Sequence, residues 1–324
     1  MRALALGALA LSLSLAACGA TQRAPRRETP WPGSAATHPG GGPSHLAISR
    51  HGGGPPLNLL IAQADDRIVS ISPRGQVVWR ERQADPGTVF VSRTGRTEII
   101  TEPSASQVVL RRIDSGAVAL RYGRRGLRLR DPGSAVEDAR GEVVIADTGD
   151  CRVVFAAQSS ERPARVTAWA HGCPRSALAG DGVVVVTQQR PAGIVVVSEV
   201  GAQLDRIPLG GLAAPSDAVA FRPDAVVVAD RTKPGRVVEL DRRGNVLWSY
   251  GPSRGPGELD RPRLASVLPD GNVLVVDSGN DRVIVIDRQT KLIVWQYGHR
   301  GTAGSRPGYL DRPTSATLVP LGGT

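Results

Sequence analysis

From Leu57 onward the chain alternates short apolar runs with clusters of turn-forming residues. The stretch Leu259–Gly298 shows the unit most clearly. Its runs are Leu-Ala-Ser-Val-Leu, Val-Leu-Val-Val-Asp, Arg-Val-Ile-Val-Ile-Asp and Leu-Ile-Val-Trp-Gln-Tyr-Gly, separated by Pro-Asp-Gly-Asn, Ser-Gly-Asn-Asp and Arg-Gln-Thr-Lys. Aliphatic and β-branched runs bounded by Gly, Asn, Asp and Ser read as strands joined by tight turns. The pattern predicts a four-stranded antiparallel meander. Alone, such a sheet leaves faces and edges uncovered, so it needs neighbours of its own kind.

Two registers show how many neighbours there are. Trp79, Leu120, Trp169, Ile207, Trp248 and Trp295 each fall in the last run of a unit. Their spacing of roughly 40 to 50 residues is the period of a propeller blade. Independently, Pro86, Pro132, Pro174, Pro215, Pro262 and Pro313 each stand just ahead of the run that opens a unit. Proline at a strand's first residue removes no ladder hydrogen bond. After Pro313 only one strand's worth of chain remains, while Leu57–Arg82 supplies three runs. The expected fold is all-β: a six-bladed β-propeller of four-stranded antiparallel blades, its ring closed by a C-terminal strand joining the N-terminal blade. The repeat of Leu259-Asp-Arg-Pro262 as Leu310-Asp-Arg-Pro313 favours that closure over one made by His45–Ser49.

Asp277-Ser-Gly-Asn-Asp-Arg282, with Gly257-Glu-Leu-Asp-Arg-Pro262 before it, resembles the NHL-repeat propellers. The endings Val-Trp-Gln-Tyr-Gly and Leu-Trp-Ser-Tyr-Gly are similar to PQQ-like repeats. The motif is weaker at Asp147-Thr-Gly-Asp-Cys-Arg152 and is replaced at Thr101–Gln107 and Thr187–Arg190. These resemblances imply blade architecture, not an activity. A quinone dehydrogenase is not implied, because such enzymes resemble larger eight-bladed rings with calcium ligands. No cofactor is expected.

The start of the chain reads differently. Arg2, the apolar run Ala3–Leu15 and then Leu15-Ala-Ala-Cys18 resemble a bacterial lipoprotein signal over 1–17, with Cys18 acylated. Residues 18–56, rich in Gly, Pro, Ser and Thr, are too poor in apolar surface to fold and are expected to form a tether. The propeller then occupies 57–324. This organisation implies a lipid-anchored domain on a bacterial membrane, outside the cytoplasm, in the periplasm or on the cell surface. Formal charge is +10, and almost every basic residue is Arg. Such a field favours anionic partners, although an Arg-rich composition alone also produces it.

Candidate chemistry is sparse. The Asp…Arg turns can simply cap and pair within the blades. Cys151 and Cys173 flank the last two strands of blade three and are expected to form a disulfide outside the cytoplasm. The connectors between blades are basic, and Arg130, Arg261 and Arg312, just before the blade-opening prolines, are the candidate residues for an anionic ligand or an acidic extracytoplasmic protein. Nucleic acid is not an expected partner. The inner strands carry mostly small and hydroxyl residues. Glu137 and Asp217 are the exceptions and are the candidate ligands for a divalent metal ion if the chain is a propeller hydrolase or lyase. No nucleophile–base set or phosphate-binding loop stands out, so a binding or interaction module is the leading expectation.

Overall fold

A computed structural model describes residues 54–320 apart from 125, 161–162, 169–171, 190 and 252–253. The expected signal sequence, Cys18 and nearly all of the expected tether therefore lie outside the described residues, as do Trp169 and His171. Among the described residues no helix is long and apolar enough to cross a membrane. Pro55, at the end of the expected tether, is buried against the folded domain.

Six four-stranded antiparallel sheets form the ring. Blade one holds β1 (Leu59–Gln63), β2 (Arg67–Ile71) and β3 (Val77–Arg82). Blade two holds β4 (Val89–Val91), β5 (Thr97–Glu102), β6 (Gln107–Arg112) and β7 (Val118–Tyr122). Blade three holds β8 (Pro132–Glu137), β9 (Glu142–Asp147), β10 (Arg152–Ala157) and β11 (Pro163–Ala168). Blade four holds β12 (Cys173–Gly180), β13 (Val183–Gln189), β14 (Gly193–Ser198) and β15 (Gln203–Ile207). Blade five holds β16 (Pro215–Arg222), β17 (Ala225–Asp230), β18 (Arg236–Asp241) and β19 (Val246–Tyr250). Blade six holds β20 (Leu264–Val267), β21 (Val273–Asp277), β22 (Arg282–Ile286) and β23 (Ile293–Gly298). The last strand, β24 (Pro313–Leu318), pairs antiparallel with β1 as the innermost strand of blade one. The one-plus-three closure is borne out.

The hydrophobic pattern follows from the stacking of blades. Second and third strands are covered on both faces, so they read as continuous apolar runs such as Val183–Val186, all fully buried. Outer strands alternate, as in β3, because one face looks to solvent. Six apolar clusters fill the six gaps between blades. One of them, Leu59, Ile61, Leu274, Val276 and Val283 among others, joins blade six to blade one, so the ring has no uncovered end.

Hydroxyls reinforce this joining near the axis. The Ala177 amide donates to Ser134 Oγ at 2.8 Å, Thr187 Oγ1 donates to the Ser216 carbonyl at 2.7 Å, and the Val89 amide donates to Ser315 Oγ at 2.8 Å. Each bond crosses from one blade to the next. The small hydroxyl residues of the inner strands thus tie sheets together without filling the space between them.

All six blade-opening prolines are buried. Asp85, Asp131, Arg261 and Arg312, each directly before such a proline, adopt the left-handed backbone, with φ of 44°, 50°, 50° and 43°. This conformation is uncommon for side chains other than Gly, Asn or Asp. It turns the chain sharply from connector into inner strand.

Candidate functional site

The Asp…Arg turns lie on the face that carries the connectors between blades. Asp277 accepts the Asp260 amide at 2.8 Å, Asn280 Nδ2 at 2.8 Å and Arg282 Nε at 2.8 Å. Arg282 then donates to the carbonyls of Pro256 and Glu258 in the preceding connector. The same reach recurs from Arg67 to Gly304, Arg152 to Arg128 and Arg236 to Gly211. Each arginine therefore fastens a connector to the blade that follows it. These guanidiniums are committed to structure, and the capping reading of the motif is the one the contacts support.

Cys151 and Cys173 are bonded, as the sequence implied, but the link is of a different kind. Cys151 ends the turn between β9 and β10 of blade three, whereas Cys173 is the first residue of β12 and pairs with Gln189 of β13. Arg152, next to Cys151, pairs with Ala168. The disulfide joins blade three to blade four; it does not close the outer hairpin of blade three. Sequence spacing alone missed this because the chain crosses to the next blade between Ala168 and Cys173.

Where β12 and β16 begin, a cavity of about 580 Å³ opens between blades four and five. Arg175, Arg231 and Arg261 bring its charge; Gln188, Gln189, Ala192, Ala213, Ala214, Pro215 and Ser216 form the rest of its lining. Arg175 follows Pro174 in β12. Arg231 follows Asp230 at the end of β17. Arg261 is turned by its left-handed backbone just before Pro262. Arg175 Nε donates to Ser216 Oγ at 3.3 Å. Arg261 is drawn toward Asp260 at 2.9 Å but keeps more than half its side chain in solvent.

Two further groups belong to this cluster. Arg263, the residue after Pro262, and Asp217, the third residue of β16, both interact electrostatically with Arg175 and Arg231. Burial pulls Arg263 down to about 10, repulsion from Arg175 and Arg231 adds to that, and Asp217 opposes it. Arg231 is lowered by desolvation and then by repulsion from Arg175 and Arg261. Burial raises Asp217, against the pull of Arg175, Arg263, a hydrogen bond from Ser176, and Arg231. Among the described residues Arg175, Arg231 and Arg263 have no carboxylate within ion-pair distance, and Arg263 Nε is a buried donor without a partner. Three guanidiniums, those of Arg175, Arg231 and Arg263, therefore face one carboxylate that is itself reluctant to ionise, while Arg261 has Asp260.

The sequence-derived candidates divide accordingly. Arg261 lines the cavity. Arg130 and Arg312 do not: Arg130 packs beside Gly149 and its amide is held by Asp147, while Arg312 pairs with Asp311 and its amide is held by Asp281. Arg175, Arg231 and Arg263 were not singled out. The Pro-Arg dipeptides at 174–175 and 262–263 were the available signal, because the residue after the proline lies at or beside the start of the inner strand.

Glu137 and Asp217 are not brought together. Glu137 ends β8 at the opposite face of the ring, where it accepts the Arg93 amide at 2.6 Å and Gln158 Nε2 at 2.8 Å. Asp217 lies at the connector face among arginines. Among the described residues no group of three or more His, Cys, Asp and Glu side chains is placed to hold a metal ion.

No family model matches the chain, and no curated protein matches it significantly. Solved structures do. A streptogramin B lyase superimposes with a TM-score of 0.58 at 15% identity, covering 77% of this chain and 84% of that one. Virginiamycin B lyase from Staphylococcus aureus gives 0.56 at 14% identity, with 74% and 80% covered. Hydrazine synthase from Kuenenia stuttgartiensis gives 0.57 at 12%, with 76% and 80% covered. At such identities the likeness is one of fold, and the chain is a six-bladed β-propeller.

Proposed function

We propose that the chain is a binding module whose ligand is an anion held at the mouth of the ring by Arg175, Arg231, Arg261 and Arg263. The observation that carries this reading is the cluster of Arg175, Arg231 and Arg263, opposed by the single buried carboxylate of Asp217, with Arg261 beside them. Guanidiniums held close together repel one another, so the cluster costs folding free energy that an anion would return. Their planar forks suit phosphate and carboxylate oxygens, which accept two parallel hydrogen bonds. Burial of Arg263 and Asp217 lowers the local dielectric response and strengthens each such bond.

The lipobox-like Leu-Ala-Ala-Cys18 and the interblade disulfide support a lipid-anchored, extracytoplasmic setting, since disulfides persist in oxidising compartments. Anchoring is tested by metabolic labelling with a fatty-acid analogue, which Cys18→Ser should abolish. Anion binding is tested by titration calorimetry with sulfate and phosphate. The variant Arg175→Gln/Arg231→Gln should weaken binding at least tenfold. Equal affinity in wild type and variant would overturn the reading.

A further inference from the structure

We infer that the ligand is a small phosphomonoester, a compact dianion carrying an uncharged organic body; this rests on the anion-binding reading above. Three features of the cavity point to it. The guanidiniums come from blades four, five and six and converge on one spot instead of running as a stripe along the surface. A polyanion needs such a stripe, because its charges are spread along a backbone. Arg130 and Arg312, which would extend a positive track to other blades, do not line the cavity. The volume of about 580 Å³ lies within the range of small-molecule sites.

The remaining wall sets the shape of the ligand. Beside the arginines, Ala192, Ala213, Ala214 and Pro215 contribute lining with neither charge nor bulk. Gln188 and Gln189 add amides. Gln188 is buried with its Oε1 held by Arg206 Nη2 at 2.9 Å, so it is a fixed part of the wall. An anion with no body would leave this half of the cavity to water. With a phosphoryl group bound by the arginines, the volume beside the alanines can take an uncharged body that excludes that water. A sulfate ester carries one charge where a phosphate ester carries two, so an arginine cluster short of carboxylates discriminates in favour of the phosphate.

The test is calorimetry on the full-length chain at pH 7.5 with phenyl phosphate, inorganic phosphate, phenyl sulfate and polyphosphate as probes. Phenyl phosphate should bind at least tenfold more tightly than inorganic phosphate or phenyl sulfate, and polyphosphate should gain nothing per phosphate. Ala214→Leu, which fills the neutral part of the lining, should abolish the advantage of phenyl phosphate over inorganic phosphate. Equal affinities for phenyl and inorganic phosphate, or an advantage that survives Ala214→Leu, would overturn the inference and leave anion binding standing. Tightest binding of polyphosphate would replace a small ligand with a polymer. Absence of binding by every probe would overturn both the inference and the reading beneath it.

Discussion

Replacing Asp277 with Asn probes what the Asp…Arg turns are for. Asp277 is fully buried, and the Arg282 side chain is only 3% exposed. One carboxylate oxygen accepts the Asp260 amide, and the other accepts both Asn280 Nδ2 and Arg282 Nε. Whichever way an asparagine is turned, its NH₂ meets a donor. Arg282 meanwhile keeps its charge with no counter-ion and little water to replace one. Burial already pushes the Asp277 carboxyl above its ordinary acidity range, so the pair as a whole need not be strongly stabilising. Removing one member is different, and costs about 3–5 kcal/mol when the other remains buried. Asp147→Asn supplies the control: its arginine, Arg152, is 25% exposed and can be rescued by water, so the loss there should be about 1–3 kcal/mol. Urea unfolding followed by tryptophan fluorescence, with m-values compared to confirm a common unfolded state, measures both. The variant Asp277→Asn/Arg282→Met should recover part of the single loss. If Asp277→Asn lay within about 1 kcal/mol of wild type, or cost no more than Asp147→Asn, the reasoning from burial would fail.

Arg261→Gly should abolish most anion binding without destabilising the fold, because glycine takes the backbone angle of φ 50° more readily than arginine does; Arg312→Gly, at φ 43° but outside the cavity, should leave binding unchanged, and a loss with both would show that the effect is not local. Cys151→Ser/Cys173→Ser should lower stability by about 3 kcal/mol, from the chain-entropy relation for a separation of 22 residues, and weaken anion binding through the freed start of β12; thermal melting and calorimetry on one preparation would read both. Asp217→Asn should tighten sulfate binding, by about tenfold if the charges interact as across a partly solvated site. Because burial raises Asp217 in the folded chain, its contribution to stability is fully present below the unfolded carboxylate value and is lost as pH rises through the folded one. Sulfate affinity of the wild type should fall over the same window, and an unchanged pH profile in Asp217→Asn would refute the assignment.

The blade count, the four-stranded meander and the closure of the ring were all present in the order of residues. Periodicity is local: alternation, turn clusters and a buried proline every blade report their own immediate surroundings. The Leu-Asp-Arg-Pro repeat showed that the tail and head complete one sheet because like sequences take like places in a repeating fold. The site is another matter. Arg175, Arg231 and Arg261 are far apart along the chain, and nothing in their spacing says that blades four, five and six bring them to one cavity, with Arg263 close enough to feel two of them. Arg130 and Arg312 occupy the same kind of sequence position as Arg261 and are carried away from it. Glu137 and Asp217, both on inner strands, end on opposite faces because one closes its strand and the other opens it. Even the disulfide was legible as a pair but not as a bridge between blades. Strand pairing is written in neighbours along the chain, whereas charge convergence depends on how six twisted sheets are rotated about a common axis. That rotation is set by the packing of all six apolar gaps at once, and only the folded ring fixes it.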